Sequence, residues 1–285
     1  MTARDSTAGD MIDSFDFTQT PRPPMVLKVE GDKYPPVLQT LAHPANAISI
    51  VSSANNSYSL APGGIVSAYG TNLAGGTQAA QSLPLPTTLL NVMVKVKDSA
   101  GTERVAPLFF VSPTQINYQI PDGTSGGAAT VTISSNGTTT GTGIATIMAV
   151  APGLYTANQS GAGVAAALLQ RVHADGSQSF QNVAQCDAGG GNCTPVSIDV
   201  GPDSDRLFLQ LYGTGIRSRT ALGNVSVQIG NLAGTVLSAG AQGQYAGLDQ
   251  VNVQLPRAML KGRGRLTVAL TVDGQAANAV WIGFL

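Results

Sequence analysis

Two cysteines carry the most explicit chemistry in the chain. Cys186 and Cys193 bracket Asp-Ala-Gly-Gly-Gly-Asn, a loop supple enough to bring the sulfurs together, and a disulfide is expected. Two free thiols or half of a zinc site are the alternatives. Zinc would need two more ligands, and His43 and His173 are the only histidines. His43 lies in a proline-rich stretch and His173 beside the Asp175-Gly176 turn, so both read as surface residues. Asp199, Asp203 and Asp205 could offer oxygen ligands to calcium, but a solvated loop balanced by Arg206 is the expected arrangement. Serines are plentiful, yet no G-x-S-x-G elbow occurs. Neither Gly63-Gly64 nor Gly189-Gly190-Gly191 precedes a helix, so neither forms a phosphate cradle. No catalytic residue, cofactor or metal is expected, and the chain reads as a non-enzyme.

The other recurrent chemistry is amide chemistry on strands. In Gln115-Ile116-Asn117-Tyr118-Gln119-Ile120-Pro121 the apolar and amide side chains alternate, which places them on opposite faces of a strand. The pattern returns as Gln250-Val251-Asn252-Val253-Gln254-Leu255-Pro256. Asn117 and Asn252 are expected to hydrogen-bond the backbone of the adjacent Tyr-Gly-Thr loops. Gln115, Gln119, Gln250 and Gln254 are expected on an exposed face usable for lateral contact. Trp281, the only tryptophan, sits in an apolar strand and is expected in a core.

These strands need sheets to hold them. From Ala47 onward, short runs rich in Val, Ile, Thr and Tyr alternate with Pro, Gly and Asn turns. Asn136-Gly137 is a two-residue hairpin signal. Seven strands are expected between residues 48 and 150, the pattern of an immunoglobulin-like sandwich. The pattern then repeats. Ile65–Leu73 matches Phe208–Ile216, Asn91–Val96 matches Asn224–Ile229, and Ala129–Ile133 matches Leu266–Leu270. The fold class is therefore all-β, two tandem immunoglobulin-like β-sandwiches, residues 46–151 and 152–285. The second carries extra strands and the cysteine loop at its start; a short helix at Val164–Gln170 is the alternative there.

Residues 1–45 differ. They are acidic at first, then broken by prolines, and read either as a flexible linker or as an extended arm, with strand-like pieces around Phe15 and Phe17 and around Val26, Leu27 and Val29. Such an arm can add a strand to a neighbouring sheet edge. Met1–Asp10 has no apolar core, so no signal peptide is expected in this stretch.

Ala61-Pro62-Gly63-Gly64-Ile65-Val66-Ser67-Ala68-Tyr69-Gly70-Thr71-Asn72-Leu73, Leu83–Leu89, Val111–Pro121 and Val150–Thr156 together resemble an uncharacterised C-terminal domain family of acidobacterial (Solibacter-type) exported proteins. That family is itself similar to TIG/IPT-type immunoglobulin-like modules. The resemblance covers residues 47–285, implies the same sandwich fold, and supplies no catalytic residues. The cysteine loop and the first 45 residues depart from the family pattern.

Charged residues make up 11 % of the chain, against about 25 % in an average soluble protein. A net charge of −1 gives no footprint for nucleic acid. No apolar run reaches the ~20 residues that span a bilayer. The expectation is a secreted or cell-surface structural or adhesive protein whose partner is protein, itself included, through the arm. The alternative is an accessory module that recognises carbohydrate or protein through loops, for which an exposed cluster of Tyr58, Tyr69 and Tyr155 would speak.

Overall fold

A computed structural model describes residues 46–285 and, before them, only the backbone of four strands, Ala3–Arg4, Met11–Ile12, Met25–Gly31 and Tyr34–Leu41. Met25–Gly31 pairs antiparallel with Tyr34–Leu41, a strand not foreseen in so proline-rich a stretch. Phe15 and Phe17 lie outside the described residues, as do the side chains of Val26, Leu27 and Val29.

Residues 48–285 form one compact unit holding two sandwiches. In the first, one sheet runs in the order Glu103–Val105, Val92–Lys97, Gly127–Ser135, Thr138–Ile147, Ser59–Leu60. The facing sheet runs Ser49–Ser52, Ile65–Tyr69, Gln115–Gln119, Leu108–Val111, Gln78–Ala79. Alternate residues of Val92–Lys97 and of Gln115–Gln119 are buried, and the inward set (Val94, Val96, Ile116, Tyr118, Val131, Ile133) closes one core. Asn136 and Gly137 both take positive φ, 50° and 80°, as a tight hairpin of the right twist requires.

The second core, from Val150 to Phe284, is separate. Its strands lie on one continuous path because Leu232–Ala241 changes layer: Leu232–Gly234 pairs with Val225–Ile229, and Thr235–Ala241 pairs with Asp249–Gln254. The extra segment at its start is strand, not helix. Ala167–Val172 pairs with Arg206–Thr214 and, through the turn at Gly176, with Gln178–Asn182.

The two sandwiches use the same registers. Tyr69, Ala68 and Ser67 face Gln115, Ile116 and Asn117; Tyr212, Leu211 and Gln210 face Gln250, Val251 and Asn252. Val96 faces Val131, and Ile229 faces Val268. Each also carries an irregularity in the strand beside its amide strand, between Leu108 and Phe110 in one and between Val236 and Ser238 in the other. An extra residue inserted there turns outward, so Phe109 and Leu237 occupy equivalent positions.

Trp281 is a correction to the core expectation. It is half-buried, because its ring lies on the outer side of its strand beneath the Arg265 guanidinium, 4.8 Å from the ring centre. That contact is of cation–π type.

Candidate functional site

The sandwiches meet along a hydrogen-bonded junction. The Ile65 N–H donates to Thr214 Oγ1 at 2.8 Å, whose hydroxyl donates to the Gly247 carbonyl at 3.0 Å. The Ala151 N–H donates to the Gly215 carbonyl at 3.0 Å. Asn278 clamps the incoming strand: its Oδ1 accepts from the Leu154 N–H at 2.8 Å, and its Nδ2 donates to the Leu154 and Gly161 carbonyls. Tyr155 and Ser53 close the junction through their hydroxyls, 2.7 Å apart.

Beside that contact lies an open groove of about 380 Å³. Tyr69, Phe109 and Tyr155 supply ring surface, and Gln115, Asn117, Ser67 and Gln159 supply polar groups. The amides are ordered by one bond, Gln115 Nε2 donating to Asn117 Oδ1 at 2.8 Å. That leaves the Asn117 amide N–H groups and the Gln115 carbonyl oxygen as an adjacent donor and acceptor, with no partner among the described residues. Burial pushes the Tyr155 hydroxyl up to about 12, Asp249 adding to the rise and the Ser53 bond opposing it. Tyr155 is therefore neutral at physiological pH and offers a ring and a fixed hydroxyl.

The expected role of the asparagines is corrected. No described bond runs from Asn117 or Asn252 to the Tyr-Gly-Thr backbone. In the first sandwich the Gly70 and Leu73 N–H groups donate to the Thr114 and Pro113 carbonyls, and the Thr140 hydroxyl donates to the Leu73 carbonyl at 3.1 Å. In the second, buried Asp249 does this work: Oδ2 accepts from the Ile216 and Arg217 N–H groups, and Oδ1 from Arg217 Nε at 2.8 Å. Burial raises the Asp249 carboxyl above its ordinary range, against the opposing pull of Arg217. Gln119 is not free for lateral contact either, since its Nε2 donates to the Gly63 carbonyl. Gln250 donates to Asn252 Oδ1 at 2.7 Å, and Asn252 Nδ2 donates to Ser238 Oγ at 2.9 Å.

Tyr58 is 68 % exposed but does not line the groove, whereas Tyr69 and Tyr155 do. Phe109 and the junction residues Asn278 and Asp249 escaped sequence reasoning, and the repeated Tyr-Gly-Thr loop did not reveal Thr214 as a junction residue. The Phe109 position is visible only once the irregular strand is known. Asp249 stands one residue before a motif strand whose counterpart residue is Thr114, so the repeat itself hid it.

Cys186 and Cys193 are joined by a disulfide and face each other in a short hairpin. His173 is held by a partner the sequence did not reveal. Its Nδ1 lies 3.1 Å from buried Asp205 and its Nε2 3.3 Å from Ser179 Oγ. The connectivity is that of a Ser-His-Asp relay, but Arg171 holds the same Asp205 oxygen at 3.1 Å and Ser179 is exposed on the outermost strand of the sheet path. The cluster fastens the loop 199–205 to the sheet. Asp203 is paired with Arg257, and Asp199 accepts from the Gly201 N–H, so protein donors occupy all three carboxylates of that loop. Among the described residues no group of three or more His, Cys, Asp or Glu is placed to hold a metal ion.

No protein-family model and no curated protein sequence matches the chain. Among solved structures it is similar to a Bacteroides ovatus mixed-linkage glucan utilization locus protein, SGBP-B, in complex with a mixed-linkage heptasaccharide. The TM-score is 0.38 and the identity 12 %, over 98 % of this chain and 58 % of that one. The chain thus spans less than two thirds of that protein's length. It is also similar to the Escherichia coli adhesin FdeC (TM-score 0.23, 13 % identity, 92 % of this chain and 74 % of that one). A third is SGBP-B from a complex xyloglucan utilization locus in Bacteroides uniformis (TM-score 0.25, 13 % identity, 85 % and 49 %). Likenesses this distant carry no argument about ligand or site.

Proposed function

We propose that the tandem sandwiches form a non-enzymatic, extracellular binding or adhesive module that takes carbohydrate in the junction groove. The observation that carries this reading is the groove's composition: Tyr69, Phe109 and Tyr155 beside an ordered Gln115–Asn117 pair. A sugar ring has apolar C–H faces that pack on aromatic rings and a rim of hydroxyls that pair with amide donors and acceptors, and binding sites combine apolar walls with a few placed polar groups in this way. The groove holds no charged side chain, which suits a neutral ligand. The disulfide supports an oxidising, extracellular setting. The resemblance of the motif blocks to exported acidobacterial domains supports it too, and the matching registers support descent of both sandwiches from one duplicated unit.

Affinity electrophoresis through gels containing soluble polysaccharides tests the reading. Retardation is expected in at least one of β-glucan, xyloglucan or dextran, with the double variant Tyr69→Ala/Phe109→Ala losing it by at least about tenfold. Free migration of the wild-type protein in every gel, or equal retardation of the variant, would overturn it.

A second reading, assembly through strand exchange, has its own observation. Gln178–Asn182 ends the sheet path, is uncharged, and exposes Phe180 at 58 %. Open edges of this kind attract pairing. Deleting residues 1–30 should then lower the mass of the assembled species in light scattering; an unchanged mass sinks it.

A further inference from the structure

A second groove, of about 210 Å³, opens on the other amide strand, lined by Gln250, Asn252 and the segment from Ser238 to Gln242. It repeats the first in two respects: it stands on the same strand register and has the same glutamine-to-asparagine bond (2.7 Å against 2.8 Å). Leu237, the counterpart of Phe109, is exposed on the neighbouring strand but does not line the groove.

The two grooves also share a surface. Leu154 faces Gly213 in the strand pairing, and the Tyr155 N–H donates to the Tyr212 carbonyl. Tyr212 in turn faces Gln250, and Gln250 faces Gly240. Residues directly opposite on neighbouring strands point to the same face. Tyr155 of the first groove and Gln250 of the second are therefore on one face, two strand spacings or about 10 Å apart, with the half-buried Tyr212 ring position between them. The same face continues as an amide ladder, Gln210 Nε2 donating to Gln170 and Gln170 Nε2 to Gln178.

We propose that this face is one continuous tract and that the Gln250–Asn252 groove is a second, weaker subsite, so that the ligand is a polysaccharide chain engaging both grooves at once. The inference rests on the carbohydrate reading of the first groove. The second subsite is the weaker because Asn252 Nδ2 is already engaged by Ser238 and no aromatic ring lines it. Two weak contacts joined on one chain raise affinity multiplicatively, because the second binds at high effective concentration.

The test is isothermal titration of the full chain with soluble β-glucan, xyloglucan and dextran and with short oligosaccharides of each. The proteins are the wild type, Gln250→Ala/Asn252→Ala, and Ser238→Arg, an exposed position where a bulky group obstructs the groove without removing a core contact. Both variants are checked for a wild-type melting temperature, and the second stands in if the first is unfolded. Polysaccharide affinity is expected to fall about tenfold or more in both variants while oligosaccharide affinity stays at the wild-type level. Unchanged polysaccharide affinity in a folded variant overturns the second subsite alone. Wild-type protein that binds none of the saccharides overturns the groove reading and this inference with it.

Discussion

Among the described residues Tyr118 is the largest fully buried side chain, and its hydroxyl has no hydrogen-bond partner there. Burial accordingly raises its pKa far above the ordinary phenol range. An unpaired buried hydroxyl costs stability, so Tyr118→Phe should stabilise the fold by about 1 kcal/mol in urea unfolding; a loss of stability would mean the hydroxyl has a partner. Asp98 is the opposite case. The Ser125 N–H foremost, then Arg104 and the Thr102 N–H, hold its carboxyl at about 2, against an opposing burial effect. The folded value lies below the unfolded value of about 3.9, so its contribution is present above pH 4 and lost as pH falls from about 4 through 2. Asp98→Asn should flatten the acid limb of stability over that window; parallel pH profiles for variant and wild type would contradict this. Individual residues were only partly legible in the sequence. The alternation in Gln115–Ile120 shows which side chains face outward, because a strand has period two. It does not show that Gln115 bonds its own neighbour Asn117 rather than the next loop, since that choice depends on side-chain rotamers.

Strands were the most legible level. Val92–Lys97, Ile65–Tyr69 and Gln115–Gln119 stand where β-branched residues and alternation place them. Two-residue pieces such as Ser59–Leu60 and Gln78–Ala79 were not legible, because they exist only through pairing with distant strands. Turn glycines are where an element meets the junction. Gly215 takes φ +75°, and a Cβ there would lie 2.2 Å from the Ala151 carbonyl oxygen, the chain segment that links the sandwiches. Gly215→Ala should cost more than about 1 kcal/mol, from backbone strain with displacement of the Ala151 contact added to it. Guanidinium denaturation measures it, and an unshifted midpoint would show that the junction yields freely.

At the scale of the molecule, the groove belongs to neither sandwich alone. Ser53 and Tyr155 are 102 residues apart in sequence, and nothing local to either forecasts their contact. The repeat makes the two sandwiches legible, whereas the site depends on how they dock, through residues outside the repeat blocks such as Asn278 and Asp249, and through Thr214, whose counterpart Thr71 has no such contact among the described residues. The most direct measurement is amide and side-chain amide chemical-shift mapping of ¹⁵N-labelled protein titrated with oligosaccharides of the retarding polysaccharide. Shifts are expected to concentrate at Tyr69, Phe109, Gln115, Asn117 and Gln159, with the Gln115 and Asn117 side-chain amides among the largest. Shifts confined to another surface, or none at saturating saccharide, would contradict a carbohydrate site at the junction.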